Sequence, residues 1–135
     1  MLTGSCLCGA IAYEADADLA RIVHCHCQTC RKTHGAAFSS ITAVPRESFR
    51  WTRGSELLGA FESSPGKFRR FCTRCGSHLM AERVVQPVVM LRLGCLDTPI
   101  DSGVTDRPQV HIWRTDAASW YDPKAQFPEL PQGLS

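Results

Sequence analysis

Long apolar runs are absent from this 135-residue chain. No stretch approaches the roughly 20 consecutive apolar residues of a membrane-spanning helix, so no membrane segment is expected. The N-terminus reaches Gly4 and Cys6 without the apolar core of a secretory leader, which points to the cytoplasm, where thiols stay reduced. Charge of one sign is scarce as well. A formal net charge of +2 is too weak to argue for nucleic acid or an anionic membrane as partner. There is no internal repeat and no low-complexity tract. What remains, 44% hydrophobic and 21% charged residues, is the composition of an ordinary globular protein. One domain over residues 1–135 is expected, with a core able to bury roughly two-thirds of the unfolded surface.

Cysteine is what the chain has in excess. Eight are present, and seven fall in three clusters. Cys6 and Cys8 form a CxC, Cys25, Cys27 and Cys30 a CxC running into a CxxC, and Cys72 and Cys75 a CxxC. An ordinary core gives a thiol no reason to recur at this density. A soft divalent metal does, because thiolates spaced by one or two residues converge on one ion about 2.3 Å from each sulfur. Eight cysteines also allow about 105 disulfide connectivities. The clustering, the chain length and a reducing compartment argue against that framework.

A closed structural zinc site takes four protein ligands; a catalytic one takes three and keeps a position open. Seven thiols divide accordingly. Cys6 and Cys8 with Cys72 and Cys75 close a loop of more than sixty residues, as a stabilising clip should. Cys25, Cys27 and Cys30 are left as a compact three-thiolate site whose fourth corner faces outward. The alternative is that His24, His26, His34, His78 or His111 fills that corner and both zincs are structural. His26, lying between two ligands, is expected to point away. Three thiolates leave zinc with a net negative surrounding, which damps its Lewis acidity and makes water activation a poor fit. A sulfur-rich site suits another thiolate, so the expected substrate class is a small thiol or an adduct of one. Arg31, Lys32, Arg69, Arg70 and Arg74 flank two of the clusters and are candidates to hold a substrate carboxylate. The commoner role of such charges is a solvated face.

Between the clusters the pattern is that of short strands. Gly4 and Gly9 flank the first thiol pair and permit sharp bends, and Ile11 and Tyr13 then share a strand face by period two. A short strand is expected over 21–23, a helical turn over 28–34, and a strand over 36–44 stopped by Pro45. Phe49 with Trp51, then the apolar run 57–61, with Gly54 and Ser55 between them, predict a hairpin. Ser63-Ser64-Pro65-Gly66 is a turn signal, and strands are expected at 67–71, 77–81 and 88–96. In the last, Val89, Leu91, Leu93 and Cys95 fall on one face, which makes Cys95 a buried core thiol outside the metal count. His111-Ile112-Trp113 either walls a pocket or, as tryptophans at strand spacing more often do, joins the core. Past Pro123 the tail is expected to be loose. Turns every eight to twelve residues or so predict a mainly β fold.

Three motifs together resemble a known family. Gly4-Ser5-Cys6-Leu7-Cys8-Gly9, then Cys25-His26-Cys27-Gln28-Thr29-Cys30-Arg31-Lys32, then Phe71-Cys72-Thr73-Arg74-Cys75-Gly76 are similar to the signature of glutathione-dependent formaldehyde-activating (GFA) enzymes, of the centromere protein V and S-hydroxymethylglutathione synthase type. Gly94-Cys95-Leu96-Asp97 and the segment from His111 to Trp120 resemble its later motifs, so the likeness runs from about residue 3 to 121. The resemblance implies several coiled β-sheets around zinc knuckles, as in Rab-exchange-factor-like zinc proteins and methionine-R-sulfoxide reductases. It implies two zinc ions, one structural on Cys6, Cys8, Cys72 and Cys75 and one catalytic on Cys25, Cys27 and Cys30. It also implies carbon–sulfur lyase chemistry, the joining of glutathione to formaldehyde as S-hydroxymethylglutathione. A non-catalytic, zinc-stabilised β module that binds another protein is the alternative. A zinc-ribbon nucleic-acid binder is disfavoured by the low net charge.

Overall fold

The computed structural model describes residues 1–98 and 107–134. In chain order the strands are β1 (Leu2–Ser5), β2 (Ala12–Ala15), β3 (Ile22–Cys25), β4 (Ser39–Pro45), β5 (Phe49–Arg53), β6 (Leu58–Ser64), β7 (Lys67–Cys72), β8 (His78–Arg83), β9 (Val88–Arg92) and β10 (Gln109–Ile112), with the helix α1 (Gln28–His34) between β3 and β4. They form two sheets, β1-β2-β5 and β10-β3-β4-β9-β8-β7-β6. Every pairing is antiparallel except β10 with β3. The mainly β class expected from the turn spacing is the class observed.

Strand alternation gives the large sheet two different faces. Val44 opposes Val89, and Thr42 and Met80 both oppose Leu91; these five side chains are almost fully buried and form the core with Leu79, Ile11 and Tyr13. Ile41, Met90 and Arg92, at intervening positions, instead line a cavity together with Cys25, Cys27 and Cys30. In the small sheet Tyr13 packs edge-on to Trp51 with ring centroids 5.9 Å apart and against Phe49 at 5.2 Å. Gly4 is required beneath it, since a Cβ there would stand 2.3 Å from the Tyr13 ring. The segment after β9 ties the sheets together. Leu96 bridges Gly4, the Asp97 amide donates to the Thr3 carbonyl at 2.8 Å, and the Thr3 amide donates to Thr98 Oγ1 at 2.6 Å.

Three local expectations are corrected. Phe49–Arg53 and Leu58–Ser64 make no hairpin, because β5 pairs with β2 while β6 pairs with β7 in the other sheet. Gly54 makes the crossing. Its φ of +72 is left-handed, and a Cβ would lie 2.0 Å from the Ala10 carbonyl oxygen. The strand from Val88 ends at Arg92, and Leu93–Cys95 is a single 3-10 turn. Cys95 therefore leaves the strand face; it is half-buried, packs against the core, and its thiol donates to the His78 carbonyl at 3.2 Å. The strand expected from residue 36 begins at Ser39, since Gly35 in a left-handed cap and the Ala36 amide, donating to Arg31 O, first close the helix.

Candidate metal centres

Two matching turns build the first thiol group. The Cys6 amide donates to the Ile11 carbonyl and the Gly9 amide to the Cys6 carbonyl; the Cys72 amide donates to the Ser77 carbonyl and the Gly76 amide to the Cys72 carbonyl. Gly9 and Gly76 both have φ near +80, the left-handed bend each turn needs (+77 and +79). Inside the turns, amides point at sulfur: Ile11 N–H to Cys6 Sγ at 3.3 Å and Arg74 N–H to Cys72 Sγ at 3.4 Å. Such bonds favour the thiolate. Ser77 couples the two turns, its Oγ accepting from the Leu7 amide at 2.9 Å and lying 3.2 Å from Cys75 Sγ. Arg53 pins the first turn by donating twice to the Gly9 carbonyl.

The sulfurs of Cys6, Cys8, Cys72 and Cys75 all lie within 4.8 Å of one another. Cys6 and Cys8 are 3.6 Å apart and Cys8 and Cys72 3.9 Å. Four sulfurs about 2.3 Å from a tetrahedral ion stand about 3.8 Å apart. The donor set and its spacing therefore fit zinc.

The second group is built at the end of β3 and the start of α1. Cys25 closes the strand, Cys27 caps the helix by accepting from the Cys30 amide at 3.3 Å, and Cys30 is buried in the first turn. Their three sulfurs also lie within 4.8 Å of one another. Among the described residues no histidine or carboxylate joins them. The histidines have other company: His24 bonds Ser40 Oγ and Gln109 Oε1, His26 Nε2 bonds His111 Nδ1 at 2.8 Å, and the His34 and His78 rings lie 5.1 Å apart.

Electrostatics separates Cys30 from Cys25. Burial alone pushes Cys30 up, but the Ser39 hydroxyl, the Cys27 and Cys25 thiols and the Arg69 guanidinium more than reverse this and bring it to about 7. Cys25 is pushed up to about 12, by burial first and by the charge of Cys30. The group thus takes on one negative charge easily and resists the next; a divalent cation removes that resistance by ligation.

A cavity of about 430 Å3 opens beside these thiols, within the size range of small-ligand sites. Cys25, Cys27 and Cys30 are part of its lining. Its floor is the second face of the large sheet, where Lys67 and Arg69 of β7, Arg83 of β8 and Arg92 of β9 all enter the lining. Asp116 is the single carboxylate there among the described residues. Arg69, 3% exposed, donates through Nε to Ser63 Oγ at 2.9 Å and sets both terminal nitrogens 3.9 Å from Cys30 Sγ. Arg92 is 6% exposed, and its Nε and one terminal nitrogen have no hydrogen-bond partner. Its burial and the Arg69 charge bring it down to about 10.

Of the basic residues flanking the clusters, only Arg69 lines this cavity; Arg70 pairs with Glu82 at 3.1 Å. Lys67, Arg83 and Arg92 are not legible from the sequence as site residues because none of them flanks one of the three thiol clusters. The one signal for them was Lys67-x-Arg69, two cations on one strand face. Ile112 and Trp113 form part of the cavity wall, and Trp113 stands 61% exposed, not in the core. It is the single non-glycine residue with positive φ (58) among those described, turning the chain out of β10 at the rim.

Fold and thiols together define a mainly β protein with two cysteine groups fit to hold metal ions. The chain belongs to the glutathione-dependent formaldehyde-activating enzyme family, whose model matches residues 1–116. It is 33% identical over 76 residues to a Schizosaccharomyces pombe protein named only as an uncharacterized lyase, a match covering 56% of this chain and 53% of that one. It is 28% identical over 130 residues to a Halomonas elongata protein that carries the family's name, covering 90% and 80% of the two chains. The matched region thus spans about half the length of the yeast relative. A crystal structure of a Rhodobacter sphaeroides protein shares the fold, with a TM-score of 0.63 at 21% identity over 80% of this chain and 99% of that one. No helix among the described residues is long and apolar enough to cross a membrane.

Proposed function

We propose that the chain is a single GFA domain and a zinc-dependent carbon–sulfur lyase that acts on small thiol adducts, with glutathione and formaldehyde as the leading substrates. In this reading Cys6, Cys8, Cys72 and Cys75 hold a structural zinc, and Cys25, Cys27 and Cys30 hold a catalytic one. The observation that carries it is the three-thiol group, which gains no fourth protein ligand among the described residues and opens onto a cation-lined cavity. A zinc ion there supplies positive charge that favours the thiolate form of an arriving thiol.

The chain's own residues account for the rest of the chemistry. Arg69 neutralises part of the charge on Cys30 and, held by Ser63, keeps that side of the cavity rigid. Lys67, Arg83 and Arg92 make the cavity attractive to an anionic thiol, and Ile41, Met90, Ile112 and Trp113 give it apolar walls that thin out water around the reacting sulfur. In the addition, sulfur forms a bond to the formaldehyde carbon, the carbonyl π pair moves to oxygen, and the proton released by the thiol ends on that oxygen. The product is S-hydroxymethylglutathione, and the reverse step is the lyase direction.

Zinc per chain, measured before and after incubation with glutathione, tests the site; NMR of [13C]formaldehyde with glutathione tests the chemistry. About two zincs, one perturbed by thiol, together with enzyme-dependent exchange of the adduct resonance, is the expected result. Two zincs indifferent to thiol, and no effect on the adduct, would replace this reading with the non-catalytic zinc module.

A further inference from the structure

Lys67 and Arg83 are direct cross-strand partners in the β7–β8 pair. Like charges placed opposite one another destabilise a sheet. Neither side chain has a carboxylate or any other hydrogen-bond partner among the described residues, although Glu82, next to Arg83 in sequence, serves Arg46 and Arg70 on the other face. Both cations instead enter the lining of the cavity that the three thiols also line, together with Ser63 and Ser64. Ser64 is the β6 residue opposite Lys67.

From this juxtaposition we infer that Lys67 and Arg83 form a carboxylate clamp, which selects ligands carrying a carboxylate well separated from their sulfur. The inference deepens the proposed function and rests on the thiol reading of the Cys25 group. An anion between the two side chains converts a repulsive pair into two charge-assisted bonds, and the Ser63 and Ser64 hydroxyls are placed to add donors. The spacing sets the class of ligand. Lys67 stands two residues, or about 7 Å of strand, beyond Arg69, whose guanidinium is the group touching Cys30 Sγ. A thiol peptide with a terminal carboxylate covers that offset more readily than a thiol whose carboxylate sits on the carbon next to the thiol-bearing one. Arg92, buried and with two nitrogens lacking a partner, is then left to a second anionic group of the same ligand.

Calorimetric titration of the zinc-loaded protein with four ligands tests the clamp: glutathione, its diethyl ester, cysteine and S-methylglutathione. Each is repeated on the Lys67→Gln/Arg83→Gln double variant, which removes repulsion and is expected to melt no lower than the parent. The expected result is glutathione at least about tenfold tighter than its ester and than cysteine, with the gap closing in the double variant and surviving in Lys67→Arg. Equal affinity for glutathione and its ester in the parent overturns the clamp and leaves the thiol reading intact. If S-methylglutathione binds as tightly as glutathione and loses its affinity in the double variant, the clamp stands and the thiol reading falls. If none of the four binds, both fall.

Discussion

Substituting one thiol in each group asks whether the two groups do different work. Cys72 is fully buried and links two turns far apart in the chain; its sulfur lies 3.9 Å from that of Cys8, 64 residues away. Treated as a crosslink, closing a 64-residue loop removes about 4 kcal/mol of chain entropy from the denatured state. Cys25, Cys27 and Cys30 span only six positions, and the same relation yields about 2 kcal/mol. A domain's whole stability is about 5–15 kcal/mol, so losing the first clip removes a large share. At about 4 °C per kcal/mol for a chain of this size, Cys72→Ser lowers Tm by about 15 °C or prevents folding, and Cys27→Ser lowers it by about half as much. Thermal melts followed by circular dichroism, with zinc measured on each purified variant, provide the assay. Cys27→Ser should retain one zinc and its β spectrum. Equal Tm losses in the two variants, or loss of both zincs from Cys27→Ser, would refute the division into a clip and an open site.

Three further outcomes follow from the geometry. Gly54→Ala combines a left-handed φ with a Cβ 2.0 Å from the Ala10 carbonyl oxygen, so it should cost about 2–4 kcal/mol in urea unfolding; a loss under about 1 kcal/mol would show that the crossing adapts. Arg69→Met removes the cation beside Cys30, and zinc competition with a chelator should show the three-thiol ion held about tenfold or more weakly, with the four-thiol ion unchanged. His34 is held down to about 3, by burial first and then by Arg92, His78 and Arg69, against 6.5 for a free imidazole. The unfolded chain therefore binds the proton first: the His34 contribution to stability is complete above pH 6.5 and is lost as pH falls toward 3. His34→Gln should flatten that part of the stability–pH curve, and an unchanged slope at equal zinc content would count against the assignment.

Much of this protein was legible in the order of its residues. Thiols one or two positions apart must share a small volume whatever the tertiary structure, so the local cysteine turns, their glycines and the short α1 carrying Cys30 could be read directly. The family signature lay in the same places. Strand partners were less accessible. The Phe49–Phe61 stretch looked like a hairpin because local signals cannot say which sheet a strand joins, and the contact between Gly54 and Ala10 that separates β5 from β6 is long-range. The cavity belongs wholly to tertiary structure. Lys67, Arg83 and Arg92 are scattered in sequence and acquire a common face only through the register of β7, β8 and β9, which a slip of one residue would reverse. Sequence alone determined which atoms are able to bind metal; the pairing of strands decided what surrounds the three-thiol group, because charge acts through space and register sets the distances.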